Sequence, residues 1–185
     1  MKKFVLLLLI FFAALSSHAQ QQQETKICAL TLSESPSIFG LKLQMSPAEV
    51  KTIFGKNLKL KVKRKGTFFQ NFIDKQPPAF LPGVRALYLR FFDRRLYQIE
   101  VFYENENKRE TAQLTEKETT EFISRLSANL NLPEITAWKT KDKIYYKLTC
   151  DGFSLAADTI LNPHVELTND AARALFEESQ KTKKN

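Results

Sequence analysis

Apolar and polar residues alternate along much of this chain, but its first residues form one unbroken apolar run. Phe4 to Leu15 carries no polar side chain, two lysines precede it, and the small-residue segment Ser16–Ala19 follows it. A positive segment, an apolar core and small residues at the minus-three and minus-one positions are the three parts of a secretory signal. The pattern predicts a signal peptide over residues 1–19, cleaved after Ala19, followed by a disordered polar segment over residues 20–25.

The length of the apolar run separates a cleaved signal from a membrane anchor. Its 12 residues form a helix of about 18 Å, whereas ~30 Å of hydrocarbon must be crossed. An uncleaved anchor stays open as the alternative, and no comparable apolar stretch follows. A lipoprotein carries a cysteine directly after this run, but the first cysteine is Cys28, so lipidation is not expected. We expect a periplasmic or secreted protein without a transmembrane span after signal removal.

Residue-by-residue alternation predicts antiparallel strands in the rest of the chain. The segments are Cys28–Leu32, Leu58–Val62, Val84–Phe92, Leu96–Tyr103, Ile144–Cys150 and Phe153–Asp158. Asp93-Arg94-Arg95 and Asp151-Gly152 separate two pairs of these strands and predict hairpin turns, the second of type I′. The residues of the first hairpin that are expected to point inward are Leu87, Leu89, Phe91, Ile99 and Val101.

Three segments carry the signals of helices. Ser46-Pro47-Ala48-Glu49 combines an N-cap serine, a proline at the first helical position and a glutamate three residues after the cap, and Gly55 ends this helix after about two turns. Thr115–Glu118 is a second capping box, and the apolar residues after it recur at helical spacing as far as Leu130. A third helix is predicted near residues 170–181.

The order of these elements indicates the fold class. A short capped helix precedes an antiparallel hairpin in residues 26–104 and again in residues 111–182. Residues 68–82 hold four phenylalanines and Pro77-Pro78, and we expect an irregular loop there that buries Phe69, Phe72 or Phe80. The prediction is one α+β domain over residues 26–182, in which short capped helices pack on an antiparallel β-sheet and the two halves are related in architecture.

Cys28 and Cys150 are the two cysteines of the chain. In an oxidising compartment an isolated pair is more often bridged than free, so the sequence predicts a disulfide between them. The bridge would connect the first predicted strand to the second hairpin. Two unpaired thiols and a catalytic thiol are the alternatives. A catalytic thiol needs a base, and nothing in the sequence places His164, the one histidine beyond the signal, near either cysteine.

One run of residues resembles a known family. It is Phe39-Gly40-Leu41-Lys42-Leu43-Gln44-Met45-Ser46-Pro47-Ala48-Glu49-Val50, followed by Phe54-Gly55. Together with the hairpin around Asp93, it is similar to the opening of small exported envelope domains of the BamE/β-lactamase-inhibitor-protein type, over residues 38–103. In those domains a short helix leads into a twisted sheet, and the hairpin turn usually holds glycine, which this chain lacks.

The resemblance implies an exported binding module. Some members of this group support outer-membrane protein assembly, and others inhibit enzymes. The assembly members are lipoproteins, whereas this chain has no cysteine at the lipidation position. The motif residues are structural, so no functional site is carried over from the family.

Charge adds a candidate binding surface. The formal net charge is +8, and loss of Lys2 and Lys3 with the signal lowers it to +6, which favours anionic neighbours. Alternation places lysines on one side of the strand predicted at Leu58–Val62. The candidate residues for binding an anion or a partner are Lys59, Lys61, Lys63, Arg64 and Lys65. The alternative is a solvated edge strand, since lysines commonly protect such edges.

Recognisable catalytic motifs are lacking in the sequence. The 5 glycines are scattered rather than grouped in a phosphate-binding loop, there is no Gly-x-Ser-x-Gly motif, and one mature histidine cannot build a histidine metal cluster. We therefore expect no cofactor, no metal and no nucleic-acid partner. The leading interpretation is a non-catalytic binding or envelope-accessory protein that engages an envelope protein or an anionic lipid. A secreted enzyme without a readable motif, and an enzyme inhibitor that inserts residues 70–82, are the alternatives.

Overall fold

The computed structural model describes residues 28–55, 66–72, 76–104, 114–142, 144–159 and 163–182. The α-helices of these residues are α1 (Pro47–Phe54), α2 (Glu116–Asn129) and α3 (Asp170–Lys181). The strands are β1 (Gly66–Asn71), β2 (Val84–Phe92), β3 (Arg95–Tyr103), β4 (Lys139–Lys141), β5 (Tyr145–Thr149), β6 (Phe153–Asp158) and β7 (His164–Asn169). Two short 3-10 helices span Leu32–Glu34 and Ile135–Ala137.

The seven strands form one antiparallel sheet in the order β1-β2-β3-β7-β6-β5-β4. The sheet consists of two meanders, β1-β2-β3 and β4-β5-β6-β7. The last strand of the first, β3, pairs with the last strand of the second, β7, and this pairing joins the meanders. At the middle of this junction Glu100 lies directly opposite Glu166. Helices packed on an antiparallel sheet confirm the predicted α+β class.

One face of the sheet is buried by helices. All five residues that were expected to point inward from the first hairpin are fully buried: Leu87, Leu89, Phe91, Ile99 and Val101. On the same face Phe54 of α1 packs against Phe68 of β1, with ring centroids 5.4 Å apart. Ile123 of α2 is fully buried in this core. We refer to this side of the sheet as the core face.

The hairpin β2–β3 forms as predicted, with a two-residue turn. Asp93 and Arg94 have φ angles of 47° and 61°, and the strands resume at the pair Phe92–Arg95. Positive φ at both central residues is the conformation of a type I′ turn, whose twist matches that of the flanking strands. Asp and Asn tolerate this region better than most residues, but arginine does not share that advantage.

Tyr97 is an extra residue in β3. Phe91 pairs with Leu96 and Arg90 pairs with Gln98, so Tyr97 has no partner of its own and forms a β-bulge. Its ring stacks on Phe176 of α3, with centroids 5.5 Å apart. The bulge therefore turns Tyr97 away from the core face, and α3 packs at this end of the opposite face.

The N-terminal segment differs from the prediction. Cys28–Leu32 was expected to be a strand, but it forms only an isolated parallel bridge, Thr31 with Asp151, before the 3-10 helix begins. The segment contacts the turn between β5 and β6 rather than the side of a strand. It therefore has no strand edge along which further backbone pairs could form. The disulfide between Cys28 and Cys150 is nevertheless present, with Cα atoms 4.6 Å apart and both residues buried.

The predicted type I′ turn at Asp151-Gly152 is also wrong. Gly152 has a φ of 80°, but Asp151 is not among the residues with positive φ, which a type I′ turn requires at both positions. Asp151 instead donates its backbone N–H to the carbonyl of Leu30 at 3.0 Å. A Cβ on Gly152 would lie 3.3 Å from the Cβ of Leu32, so the N-terminal segment packs closely against the turn. This packing determines the conformation of the turn.

Residues 68–82 are more regular than expected. Their first part continues β1, which pairs with β2 over Gly66–Asn71. Phe72 is buried and Phe80 is half-buried, and the ring of Phe80 lies 5.5 Å from that of Phe54. Phe69, in contrast, is 48% exposed, because strand alternation puts it on the side opposite Phe68.

Several predictions fall outside the described residues. They are the signal peptide over 1–19, the polar segment over 20–25 and the cationic strand at Leu58–Val62. In the part of the chain that the structure describes, no helix is long and apolar enough to cross a membrane.

Candidate functional site

The cationic candidates from the sequence have no place in the described structure. Lys59, Lys61, Lys63, Arg64 and Lys65 all lie within residues 56–65, which the structure does not describe. Their role in binding an anion or a partner stays a prediction. The described residues point to a different surface.

That surface is the face of the sheet opposite the core, which we call the open face. Of the three α-helices in the described residues, only α3 is held on this face. Ser154 of β6 donates its hydroxyl to Asp170 Oδ1 at 2.7 Å, and Arg173 contacts Glu166 of β7. Together with the stacking of Phe176 on Tyr97, these contacts keep α3 at one end of the strands. The other end holds exposed rings.

Four rings on neighbouring strands contact one another at this uncovered end, and we call them the aromatic ladder. They are Phe69 of β1, Tyr88 of β2, Phe102 of β3 and His164 of β7. Phe69 and Tyr88 are directly opposite each other, and their stacked rings have centroids 4.3 Å apart. Phe102 and His164 are likewise opposite and stacked at 4.8 Å. Tyr88 meets Phe102 on the diagonal, edge to face, at 5.8 Å.

Strand alternation explains why the ladder forms. Tyr88 lies between the buried residues Leu87 and Leu89, and Phe102 follows the buried Val101, so both rings take the opposite side of the sheet. Aromatic pairs at directly opposed strand positions stabilise the sheet by roughly 0.2–1 kcal/mol each. The rings therefore stabilise one another while Phe69, Tyr88, Phe102 and His164 all keep some exposure.

The centre of the open face is a charged network, which we call the carboxylate centre. Glu100 and Glu166 face each other across β3 and β7. Arg90 lies 3.7 Å from Glu100 Oε2, and Arg173 lies 3.1 Å from Glu166 Oε1. Thr168 also donates its hydroxyl to Glu166 Oε1 at 2.9 Å. Each carboxylate thus has a guanidinium nearby, which largely neutralises the centre.

Burial raises the pKa of the Glu100 carboxyl, and the nearby charge of Glu166 raises it further. His164 and Arg90 oppose this shift, but the net direction is upward. The environment therefore disfavours the charge on Glu100 despite its arginine partner.

The far side of the open face carries three lysines, which we call the lysine edge: Lys139 and Lys141 of β4 and Lys147 of β5. Lys139 lies directly opposite Lys147, so both point to the same side of the sheet. Lys147 in turn faces Ala156, which faces Glu166, and this register places the lysine edge on the open face. Among the described residues, none of the three lysines has a carboxylate within 4.0 Å.

A groove of about 470 Å³ lies between α2 and the end of β3. Its lining includes Glu118 and Glu121 of α2 and the ring of Tyr103. Glu118 accepts hydrogen bonds from Thr115, and Glu121 pairs with Arg125 at 3.5 Å. Burial raises the pKa of Tyr103 to about 12, so its hydroxyl stays protonated at neutral pH. Both acids are engaged in contacts that stabilise α2, and we place the candidate site on the sheet.

The titratable side chains at the middle of the open face are in contact with neighbouring side chains. Its two central carboxylates are paired with arginines, and the ring of His164 is stacked on Phe102. Within the described ranges, no group of three or more His, Cys, Asp or Glu side chains could hold a metal ion.

Comparison of the chain with protein-family models, with curated proteins and with solved structures gave no match. No relative therefore assigns a role to the residues of the open face.

Sequence reasoning missed most of the aromatic ladder. Phe69 was expected among buried phenylalanines, His164 was considered only as a base for a catalytic thiol, and Tyr88 and Phe102 were not singled out. The alternation of residues along the strands contained a signal for this surface. Tyr88 and Phe102 occupy the positions between the buried residues of their strands, where polar side chains are usual.

Proposed function

We propose that this protein is an exported, non-catalytic binding module that holds a protein partner against the open face of its sheet. The aromatic ladder is the observation that supports this most directly. Contiguous exposed rings on a protein surface are typical of interaction sites, and aromatic residues are enriched at the centres of protein interfaces. The ladder combines Phe69, at 48% exposure, with three half-buried rings.

The orientation of the rings favours a protein over a carbohydrate. A sugar ring is held by stacking on the flat face of an aromatic ring. In the ladder, Phe69 stacks on Tyr88 and Phe102 stacks on His164, so each ring already has one face occupied by its partner. The edges remain for a partner, and side chains of another protein can pack between such edges.

The Cys28–Cys150 disulfide supports export. Such bonds form and persist in oxidising compartments, and they are rare in the cytosol of mesophiles. Together with the signal pattern over residues 1–19, the bond favours a periplasmic or secreted location.

The resemblance of residues 38–103 to small exported envelope domains remains part of this proposal. α1 precedes the meander β1-β2-β3, and α2 precedes the meander β4-β5-β6-β7. This order matches two related halves, 26–104 and 111–182, each with a short helix followed by antiparallel strands. A role as an accessory or inhibitory domain fits this arrangement.

Site-specific photo-crosslinking tests the proposed face. A photo-reactive phenylalanine analogue replaces Phe69 in the exported protein, and the same analogue replaces Leu175 of α3 as the control. Leu175 is 55% exposed and therefore matches Phe69 as an accessible apolar position. We expect a discrete protein adduct from position 69 and none of the same mass from position 175. Equal adducts from both positions, or no adduct from position 69, would contradict the proposal.

Mass spectrometry of the mature protein tests the location independently. We expect a chain that begins at Gln20 and lacks two thiol hydrogens because of the disulfide. An intact chain with two free thiols would contradict export.

A further inference from the structure

We infer that the partner presents a short acidic segment with an apolar end, which lies across the strands of the open face. This inference rests on the proposed binding role of that face. The apolar end contacts the aromatic ladder, and the carboxylates of the segment reach the lysine edge. The distribution of charge over the open face supports this inference.

The lysine edge is the part of the face whose charges form no ion pair in the described part of the chain. Asp158 of β6 lies on the same face, opposite Tyr145 and His164, and lines a pocket with Lys141, but no contact within 4.0 Å joins it to the three lysines. Lys139 faces Lys147 across β4 and β5, and like charges at directly opposed strand positions repel each other. No carboxylate lies within 4.0 Å of Lys139, Lys141 or Lys147 in the described part of the chain. A carboxylate supplied by a partner would relieve this repulsion and form charge-assisted hydrogen bonds.

The spacing between the two regions sets the length of the segment. From His164 of β7 to Lys147 of β5 is two strand spacings, and Lys139 and Lys141 of β4 lie one strand further. At about 4.8 Å per strand, the ladder and the lysine edge are roughly 10–15 Å apart. An extended peptide advances about 3.3 Å per residue, so about three to five residues bridge this distance.

The carboxylate centre argues against a uniformly anionic partner. Glu100 and Glu166 lie between Tyr88 of the ladder and the lysine edge, and each is already paired with an arginine. Among the described residues, this part of the face therefore offers no unpaired cation to the phosphates of a lipid surface or nucleic acid. A segment that is apolar at one end and acidic at the other places its carboxylates only at the lysine edge. The rings also lie on strands of the sheet rather than on a protruding loop that could enter a bilayer.

The net charge argues against a second copy of this chain as the occupant. The chain carries a formal +8, or +6 without Lys2 and Lys3, so two copies repel each other on approach. An acidic partner is instead attracted over distances comparable to the Debye length, about 8–10 Å at physiological salt.

Selection from a displayed library of random short peptides tests the inference on the protein purified after export. We expect the wild-type protein to enrich peptides that combine Asp or Glu with an aromatic or aliphatic residue. A triple variant, Lys139→Glu, Lys141→Glu and Lys147→Glu, should bind the selected peptides at least about tenfold more weakly, equivalent to about 1.4 kcal/mol. The affinity of the wild-type protein should also fall as salt is raised.

A matched control keeps the change of net charge constant. Lys42→Glu, Lys51→Glu and Lys117→Glu alter three exposed lysines that lie away from the open face, and this variant should keep peptide affinity within about twofold of the wild-type value. An equal loss in both triple variants would show a general charge effect and would overturn the inference. Circular dichroism and urea unfolding of both variants confirm that each is folded.

The remaining outcomes separate this inference from the proposed function. If crosslinking at position 69 succeeds but selected peptides contain no excess of acidic residues, the acidic partner is wrong and the binding face stands. If neither succeeds, both are wrong. Binding to phosphatidylglycerol vesicles, lost in the Lys139/Lys141/Lys147 variant and accompanied by no peptide enrichment, would replace the protein partner with a membrane.

Discussion

At the scale of single residues, Glu100 shows how a charged pair on the open face reduces stability. It lies directly opposite Glu166, and its side chain is only 15% exposed. Burial and the charge of Glu166 raise the pKa of Glu100 above its ordinary value of 4.5. The folded state therefore binds this proton more tightly than the unfolded state does. The stabilising contribution is complete below about pH 4.5 and is lost as the pH rises through the folded-state pKa.

Replacing Glu100 by glutamine should therefore stabilise the protein at neutral pH. The variant removes a buried charge that its surroundings disfavour, and it removes the like-charged neighbour of Glu166. We expect the free energy of unfolding at pH 8 to rise by up to about 1 kcal/mol, the range for a directly opposed strand pair. The gain should shrink toward pH 4, where wild-type Glu100 is increasingly protonated. Urea unfolding at a series of pH values measures both effects.

Glu121→Gln is the matched control for this prediction. It makes the same chemical change on α2, where Glu121 is 50% exposed and pairs with Arg125. We expect no stabilisation from this change at either pH. A loss of stability in Glu100→Gln at pH 8 would show instead that the contact with Arg90 outweighs burial.

At the scale of elements, capping boxes begin two of the helices. In α1, Ser46 accepts a hydrogen bond from the Glu49 N–H at 3.3 Å and donates its own N–H to Glu49 Oε2 at 2.7 Å. Thr115 and Glu118 make the same pair of contacts in α2 at 3.3 and 2.8 Å. These bonds lower the pKa of both glutamates. Each box satisfies backbone N–H groups that have no partner inside a helix.

Ser46→Ala should lower the free energy of unfolding by about 1 kcal/mol, as is typical for loss of an N-cap. α1 has only 8 residues, so its first turn is a large part of the element. Ser124→Ala, an exposed position within α2, serves as the control and should be neutral or slightly stabilising because alanine favours helix. Urea unfolding of the two variants gives the comparison. Equal losses in both would mean that the cap of α1 contributes nothing specific.

At the scale of the whole molecule, the disulfide and the β3–β7 junction hold distant parts together. Cys28 and Cys150 are 122 residues apart in sequence, and the bond attaches the N-terminal segment to the end of β5. The junction joins the two meanders edge to edge. Both features connect parts of the chain that lie far apart along it.

Removal of the disulfide should lower the free energy of unfolding substantially. Closing a loop of this length corresponds to about 4–5 kcal/mol in the chain-entropy model. We expect Cys28→Ser/Cys150→Ser to lose up to this amount in urea unfolding, and the wild-type protein to lose a similar amount when a thiol reductant is added. The double variant should not respond to reductant. If reduction leaves the free energy of unfolding of the wild-type protein unchanged, the disulfide constrains the unfolded chain less than the chain-entropy calculation requires.

The sequence alone determined the features that depend on near neighbours. The capping boxes, the limits of the β2–β3 hairpin and the α+β class were predictable because hydrogen bonds and alternation act over a few residues. The disulfide was predictable because only two cysteines are present.

The tertiary structure decided the features that depend on contacts between distant segments. Cys28–Leu32 alternates like a strand but has only one bridge available beside Asp151. The bulge at Tyr97 depends on the register against β2, and the open face depends on the pairing of β3 with β7, which brings Phe102 against His164. Alternation assigns a residue to one side of a strand, but only the packing of helices decides which side of the sheet is buried and which rings remain exposed.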